Sequence, residues 1–138
     1  MTHIRPAKPE DTSVLLNLAK EFATSFTVEE SGFQQALLSL CADPSAYLAV
    51  AEANIVVGYI LGFDHYTFFA NGRVSWVEEI MVRPEQQRTG IGRLLMQSFE
   101  AWAKSRNSKL IALATRRAAL FYQALGYEES ATYFRKVL

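Results

Sequence analysis

The sequence has little cysteine, no surplus of charge of either sign and no long hydrophobic run. Cys41 is the only cysteine, so no disulfide can form within the chain and a zinc site built from cysteines is not expected. Fourteen basic residues balance fourteen acidic ones, which predicts neither a nucleic-acid partner nor attachment to an anionic membrane. Residues 1–6 hold no apolar run typical of a signal peptide, and no stretch approaches about 18 apolar residues. We therefore expect a cytoplasmic protein.

The length and composition indicate one globular domain that covers residues 1–138. Domains commonly have about 100–200 residues, and a chain of 138 residues can bury a core without covalent staples. Half of the residues are hydrophobic and 12% are aromatic, which excludes a disordered chain.

Apolar residues recur with helical spacing in four segments and follow strand patterns in six others. The predicted strands are residues 2–6, 46–51, 55–66, 74–82, 110–114 and 133–137. The predicted helices are one that starts at Glu10 and Asp11, one that carries residues 33–40, and two more at residues 90–104 and 118–125. This order predicts an α/β fold with a mixed sheet and helices packed on its faces.

The segment from Trp76 to Leu95 combines a strand, a polar loop and two glycines at the start of an amphipathic helix. The first N–H groups of a helix have no partner within it, and the helix dipole adds partial positive charge there. Gly90 and Gly92 lack the Cβ atoms that would keep a phosphate away from the backbone. The pattern predicts a turn that binds an anion such as a diphosphate.

Two better-known phosphate motifs do not fit this segment. A dinucleotide fingerprint would place a third glycine where Leu95 stands, and it would follow the first strand of its unit. A Walker-type loop needs a lysine, and none occurs between Lys20 and Lys104. A tight strand-to-helix turn that binds nothing stays open on these residues alone.

The run from Gln87 to Gly92 resembles the Gln/Arg-x-x-Gly-x-Gly/Ala signature of GNAT-superfamily N-acetyltransferases, after a strand that ends in Val-x-Pro. A second family element, Ala-x-x-Phe-Tyr-x-x-x-Gly-Tyr/Phe, resembles the stretch from Ala118 or Ala119 to Tyr127. The resemblance covers essentially the whole chain. It implies a single GNAT-like domain with a mixed, mostly antiparallel sheet of about six to seven strands, four flanking helices, and a sheet splayed in the middle for acyl-CoA.

The resemblance also implies that acetyl-CoA is the cosubstrate. No metal site is expected, because His3 and His65 have no partner at metal-ligand spacing. The turn would present its backbone amides to the CoA diphosphate, and the end of the strand before it would pair with the pantetheine arm. Thr115 stands where many members have asparagine. The implied cofactor-binding residues are Ile80, Met81, Val82, Gln87, Arg88, Thr89, Gly90, Ile91, Gly92, Arg93, Thr115, Ala119 and Tyr122.

Acetylation of an amine requires a base, because only about one alkylamine in a thousand is unprotonated at pH 7. Glu78 and Glu79 are the candidates, and their side chains should point to opposite faces of the strand. We favour Glu78, which should share a face with Ile80, and keep Glu79 open. Tyr122 is the candidate acid that protonates the departing thiolate.

The function that the resemblance implies is acetyl transfer from acetyl-CoA to a primary amine by direct attack in a ternary complex. A small-molecule amine is the favoured acceptor. Acetylation of a protein lysine or N-terminus, and a catalytically silent acyl-CoA-binding module, are the alternatives. The loop between the first two helices and the aromatic loop at residues 66–69 would border the acceptor groove, and a homodimer is a further implication of the family.

Overall fold

The computed structural model describes residues 1–23 and 25–138, which form one five-stranded sheet with four helices. The strands are β1 (His3–Pro6), β2 (Ala46–Ala53), β3 (Ile55–Thr67), β4 (Gly72–Val82) and β5 (Ile111–Leu113). The helices are α1 (Thr12–Phe22), α2 (Glu30–Ala42), α3 (Ile91–Ser105) and α4 (Ala119–Ala124). Two short 3-10 turns, Pro9–Asp11 and Pro84–Gln86, precede α1 and α3.

The strands lie in chain order across the sheet, β1-β2-β3-β4-β5. The first four pair antiparallel, and β5 pairs parallel to β4 after the crossover through α3. The predicted mixed, mostly antiparallel sheet with four helices is therefore confirmed. The expected six to seven strands are too many, because the described residues form five.

The closing strand expected at residues 133–137 is the main difference from the prediction. Residues 128–138 follow α4 without any assigned helix or strand, and their side chains are exposed. A strand needs a neighbouring strand to pair its backbone groups, and no backbone hydrogen bond joins this segment to a strand among the described residues. The apolar pattern of the segment suits a strand, but without that pairing it is not one.

Helices cover both faces of the sheet, so the sheet divides the hydrophobic core into two clusters. On one face α1 and α2 bury Leu15, Leu18 and Leu37 against β2 and β3. On the other, Leu95 and Phe99 of α3 are fully buried against the sheet. None of the helices in the described ranges is both long and apolar enough to cross a membrane.

Candidate active site

β4 and β5 separate from each other halfway along β4. They are paired only from Ser75 to Val77 of β4, opposite Ile111 to Leu113 of β5. Beyond Val77, β4 stays paired with β3 on one side and has no strand on the other within the described chain. The sheet is therefore open along the last residues of β4, as the family resemblance implied.

The open edge of β4 carries backbone groups that a ligand can use. Arg83 donates its N–H to the Val57 carbonyl of β3 at 2.8 Å. Because backbone groups alternate along a strand, the N–H and C=O groups of Ile80 and Val82 point to the open side. The side-chain amide of Gln87 donates a hydrogen bond to the Val82 carbonyl at 3.1 Å from the open side, and this contact holds the loop beside the edge.

A β-bulge separates the roles of the two adjacent glutamates. Leu61 of β3 pairs with Glu79 and Gly62 with Val77, so Glu78 is the extra residue on β4. Glu78 is exposed, while Glu79 is partly buried. The bulge also breaks the regular alternation from which a common face for Glu78 and Ile80 was expected.

Glu79 lies on the α1–α2 face, beside a buried tyrosine of β3. The Tyr59 hydroxyl donates a hydrogen bond to Glu79 Oε1 at 2.7 Å. Burial raises the pKa of Glu79 above its usual value; the Tyr59 hydrogen bond opposes that shift, and the nearby Glu78 charge adds to it. A carboxylate with a raised pKa is a better proton acceptor than a solvated one.

Sequence reasoning missed Tyr59. It lies in a strand of apolar residues and packs with Leu15 and Leu37, so it passes for a core residue. The signal that could have identified it is its hydroxyl, because a buried tyrosine generally requires a hydrogen-bond partner.

The turn between β4 and α3 contains two residues in the left-handed region and leads directly into a helix. Arg88 and Gly90 both have positive φ angles, of 64° and 90°, and α3 begins at Ile91. The first N–H group in the helical ladder belongs to Leu94, which donates to the Gly90 carbonyl at 3.1 Å. The N–H groups of Ile91, Gly92 and Arg93 therefore have no hydrogen-bond acceptor within the helix.

The two glycines of this turn serve different purposes. A Cβ at Gly90 would meet open space, and the positive φ angle is what favours glycine there. A Cβ at Gly92 would lie 3.2 Å from Cζ of Phe121, so this glycine allows α4 to pack closely against α3. Gly92 thus has a packing role that the motif alone did not predict.

Tyr122 lies across the opening from Glu79, on the α3–α4 face of the sheet. Its ring packs among Ile91, Leu95 and Val77, and only 8% of the residue is exposed. Burial raises its pKa above the usual value of a tyrosine, which keeps the hydroxyl protonated. No side chain among the described residues hydrogen-bonds this hydroxyl, so its proton is available to a ligand.

Thr115 and Ala119 lie beside Tyr122 at the start of α4. The Thr115 hydroxyl oxygen accepts the N–H of Ala118 at 3.0 Å, which closes the turn before the helix. Ala119 is exposed in the first turn of α4. The Thr115 hydroxyl therefore has a local structural partner, while its proton stays free to contact a ligand.

These groups line one broad, open cleft, which also extends along α1, α2 and the segment between them. Phe22, Phe26 and Phe33 line it on that side, whereas the exposed aromatic loop at residues 66–69 does not. The predicted site residues that line the cleft are Glu78, Glu79, Ile80, Met81, Val82, Gln87, Arg88, Gly90, Gly92, Arg93, Thr115, Ala119 and Tyr122.

Metal ligands do not cluster within residues 1–23 and 25–138, where no group of three or more His, Cys, Asp and Glu side chains could hold a metal ion. His3 lies near Glu52 at the first strand, and His65 is exposed at the far end of β3. Both histidines lie outside the cleft.

Comparison with known proteins agrees with this geometry. The profile of the family described as "Acetyltransferase (GNAT) family" matches residues 14–127. An aminoglycoside N(6')-acetyltransferase type 1 from Acinetobacter genomosp. 13 is 33% identical over 100 residues, which are 68% of this chain and 64% of that protein. The match thus spans somewhat less than two thirds of the relative's length.

Two solved structures share the fold over nearly the full length of both chains. A transcriptional regulator from Bacillus halodurans C-125 has a TM-score of 0.91 at 21% identity, with 100% of both chains covered. A glucosamine-6-phosphate N-acetyltransferase from Arabidopsis thaliana has a TM-score of 0.89 at 14% identity, with 99% of this chain and 98% of that one covered. At these identities the likeness concerns the fold.

Proposed function

The chain belongs to the acetyltransferase (GNAT) family, and from that membership we propose that it transfers an acetyl group from acetyl-CoA to a primary amine of a small molecule. The observation that carries the proposal is the open edge of β4, which lies beside the glycine turn and between Glu79 and Tyr122. Family membership indicates acetyl transfer as the reaction. The arrangement offers positions for the cosubstrate, the base and the acid that this reaction needs.

The proposed acetyl-CoA site has two walls. On the β4 side, the free backbone groups of Ile80 and the N–H of Val82 pair with the pantetheine amides as an added strand would, while the Val82 carbonyl already accepts the Gln87 side chain. The turn from Gln87 to Arg93 receives the diphosphate on its N–H groups, with the exposed Arg88 and Arg93 adding positive charge. Thr115, Ala119 and Tyr122 form the other wall.

Glu79 is the proposed base, in preference to Glu78. It is partly buried, its pKa is raised, and its carboxylate is oriented by the Tyr59 hydroxyl. It removes the proton of the substrate ammonium, directly or through a water molecule, so that the nitrogen lone pair can attack the thioester carbonyl. Tyr59 is a positioning residue in this scheme, because it acts through Glu79 and not on the substrate.

Tyr122 is the proposed acid. As the new C–N bond forms and the C–S bond breaks, the sulfur of CoA takes the electron pair and a proton from Tyr122, while the nitrogen loses its second proton to solvent, from which the Tyr122 hydroxyl is restored. The Tyr122 hydroxyl faces the cleft without a side-chain partner among the described residues, and its raised pKa keeps it protonated. Acid and base lie on opposite faces of the sheet, so the amine enters from the α1–α2 side and the thiol leaves towards α4.

Replacing Tyr122 by phenylalanine tests this role. We expect affinity for acetyl-CoA to be retained, because the ring packing stays, and turnover to fall by roughly one to four powers of ten. Steady-state kinetics with calorimetry of acetyl-CoA binding separates the two effects. Unchanged turnover would leave Tyr122 with a packing role only.

The proposed acceptor is a cationic small molecule. Glu78 and Glu79 line the same broad cleft as the aromatic rings of Phe22, Phe26 and Phe33, and carboxylates and aromatic faces both suit a protonated amine. The relative from Acinetobacter is named for aminoglycosides, so these compounds are the first acceptors to test. Protein acetylation and a silent acyl-CoA-binding module are the competing functions.

Release of free CoA thiol measures the activity whichever amine is the acceptor. Acetyl-CoA is incubated with the protein and panels of aminoglycosides, polyamines, amino acids and lysine peptides. We expect acceptor-dependent release with a small amine. Release with peptides alone would favour a protein acetyltransferase, and acetyl-CoA binding without release for any panel would favour the silent module. The cytoplasmic location and the homodimer stay predictions.

A further inference from the structure

The helix that carries Tyr122 is short and ends in a defined backbone motif. α4 has six residues, and a helix of that length is not stable on its own in water. Gly126 has a φ angle of 96° and donates its N–H to the Gln123 carbonyl at 3.0 Å. Tyr127 donates its N–H to the Tyr122 carbonyl, also at 3.0 Å. The two bonds form a Schellman motif, which joins the backbone of Tyr127 to that of Tyr122.

The Tyr127 side chain connects Tyr122 to another helix. Its ring packs against the Tyr122 ring in a T-shaped arrangement, with 6.1 Å between the centroids. Its hydroxyl donates a hydrogen bond to Oε2 of Glu100 on α3 at 2.7 Å. Burial raises the pKa of Tyr127, and the hydrogen bond to Glu100 adds to that shift, so the hydroxyl stays protonated and able to donate.

A second contact attaches this region to α3 on the other side of Tyr122. Phe121 packs against Gly92, where a Cβ would lie 3.2 Å from the Phe121 ring. Glu100 lies about two turns farther along α3, or roughly 12 Å in an ideal helix. The proposed acid therefore lies in the chain between two points of attachment to α3.

The position of the Tyr122 hydroxyl depends on these attachments. No side chain among the described residues hydrogen-bonds the hydroxyl, so its place in the cleft is set by the ring and the backbone behind it. A proton donor must come within about 2.6–3.2 Å of the atom that it protonates. A displacement of about 1 Å can lower a rate by about 10²-fold.

We propose that Tyr127, through its hydrogen bond to Glu100, is a positioning residue for the acid Tyr122. The inference rests on the proposed function, because it requires Tyr122 to be the acid. Tyr127 acts through Tyr122 and not on the substrate. Since α3 begins at the glycine turn, the hydrogen bond fixes the acid relative to the turn that is proposed to hold the CoA diphosphate.

Steady-state kinetics with the amine of the panel that gives the fastest thiol release tests this role. We expect Tyr127→Phe, which keeps the ring, and Glu100→Leu, which removes the acceptor, each to lower kcat by about 3–30-fold without a change in KM for acetyl-CoA. Combining them should lower kcat no further, because both remove one interaction. Glu100→Gln keeps an acceptor oxygen and should stay within about twofold of the parent.

Tyr66→Phe is the matched control for loss of a tyrosine hydroxyl. Tyr66 is exposed at the end of β3 and does not line the cleft. Its substitution should leave kcat unchanged. An equal loss of kcat in Tyr66→Phe and Tyr127→Phe would overturn the proposal.

The Tyr122→Phe background separates the positioning role from the role of the acid. Adding Tyr127→Phe there should lower kcat no further, because the group that Tyr127 positions is already absent. A further loss would show a general structural role and would overturn the inference. If Tyr122→Phe lowers kcat and Tyr127→Phe does not, the inference fails while the proposed function stands. If Tyr122→Phe leaves kcat unchanged, the assignment of the acid fails and the positioning role with it.

Fluorine magnetic resonance of protein that contains 3-fluorotyrosine follows the Tyr122 ring without any acceptor amine. The Tyr122 resonance is assigned by its loss in Tyr122→Phe. With acetyl-CoA alone, we expect this resonance to broaden or shift in Tyr127→Phe and Glu100→Leu, and to match the parent in Glu100→Gln and Tyr66→Phe. A Tyr122 resonance that is the same in the parent and in Tyr127→Phe would overturn the proposal.

Discussion

At the scale of single residues, the choice of the catalytic base depends on the difference between Glu78 and Glu79. They are neighbours in sequence, but one is exposed on a bulge and the other is held by Tyr59 at 2.7 Å. The choice therefore follows from local geometry and burial, which a strand pattern alone does not provide.

Glutamine at each of the two positions tests the assignment. We expect Glu79→Gln to lower kcat by about 10²–10⁴-fold, because the variant cannot accept the ammonium proton. Glu78→Gln is the matched control and should change kcat by less than about tenfold, since its solvated carboxylate is not positioned as the base. The reverse order of effects would return the role to Glu78.

The Tyr59 hydroxyl lowers the pKa of Glu79, and this effect can be tested by mutation. It donates to the ionised carboxylate of Glu79 and so lowers the pKa that burial raises. The base must be ionised to act, so the acid limb of the pH–rate profile marks the pKa of Glu79 in the folded protein. We expect Tyr59→Phe to move that limb to higher pH and to reduce the plateau rate only modestly. An acid limb that stays at the same pH or moves to lower pH would contradict the positioning role of Tyr59.

The residues of the site could be predicted only in part from the sequence. Tyr122 and the glycine turn could be proposed from the sequence because each lies in a short local motif. Tyr59 could not, because it meets Glu79 across two paired strands and is 20 positions distant in sequence. The preference for Glu78 relied on regular alternation, which holds only where no bulge interrupts the strand.

At the scale of elements, Gly62 of β3 allows α3 to pack closely against the sheet beside the bulge in β4. Gly62 of β3 pairs with Val77 just below the bulge, and a Cβ there would lie 2.5 Å from the Trp76 carbonyl oxygen and would collide with the Phe99 ring. The approach of α3 to the sheet thus requires glycine at this point.

Alanine substitution at Gly62 measures this requirement. We expect Gly62→Ala to reduce the free energy of unfolding by about 1–3 kcal/mol, because the fully buried Phe99 cannot move aside without disturbing the core. Gly32→Ala is the control: a Cβ there meets nothing within 4 Å in the first turn of α2, and the change should not lower the free energy of unfolding. Denaturant unfolding gives both values. Equal stability of the Gly62 variant and the parent would refute the close packing.

The order and type of the elements could be predicted, since helical and strand periodicities are local properties. The closing strand at residues 133–137 shows the limit of that method. Periodicity identifies a segment that is able to form a strand, whereas forming one requires hydrogen bonds to a second strand, and this segment makes none within the described residues. The number of strands in the sheet was overestimated for the same reason.

At the scale of the whole molecule, the sheet separates two functions. The α1–α2 face holds Glu79 and the aromatic side of the cleft, and the α3–α4 face holds Tyr122 and the glycine turn. The opening between β4 and β5 is the place where both faces meet. The proposed function therefore has the amine and the thioester meet at this opening from opposite sides of the sheet, which is its central claim.

Backbone amide shifts on addition of acetyl-CoA test that claim most directly. In a titration of the isotope-labelled protein followed by nuclear magnetic resonance, we expect the amides of Ile80, Val82, Gly90 and Gly92 to shift together and to saturate at one stoichiometric equivalent. Amides of β1 and of the β3–β4 loop should stay unchanged. Calorimetric binding of acetyl-CoA that leaves the amides of β4 and the glycine turn unmoved would contradict the account.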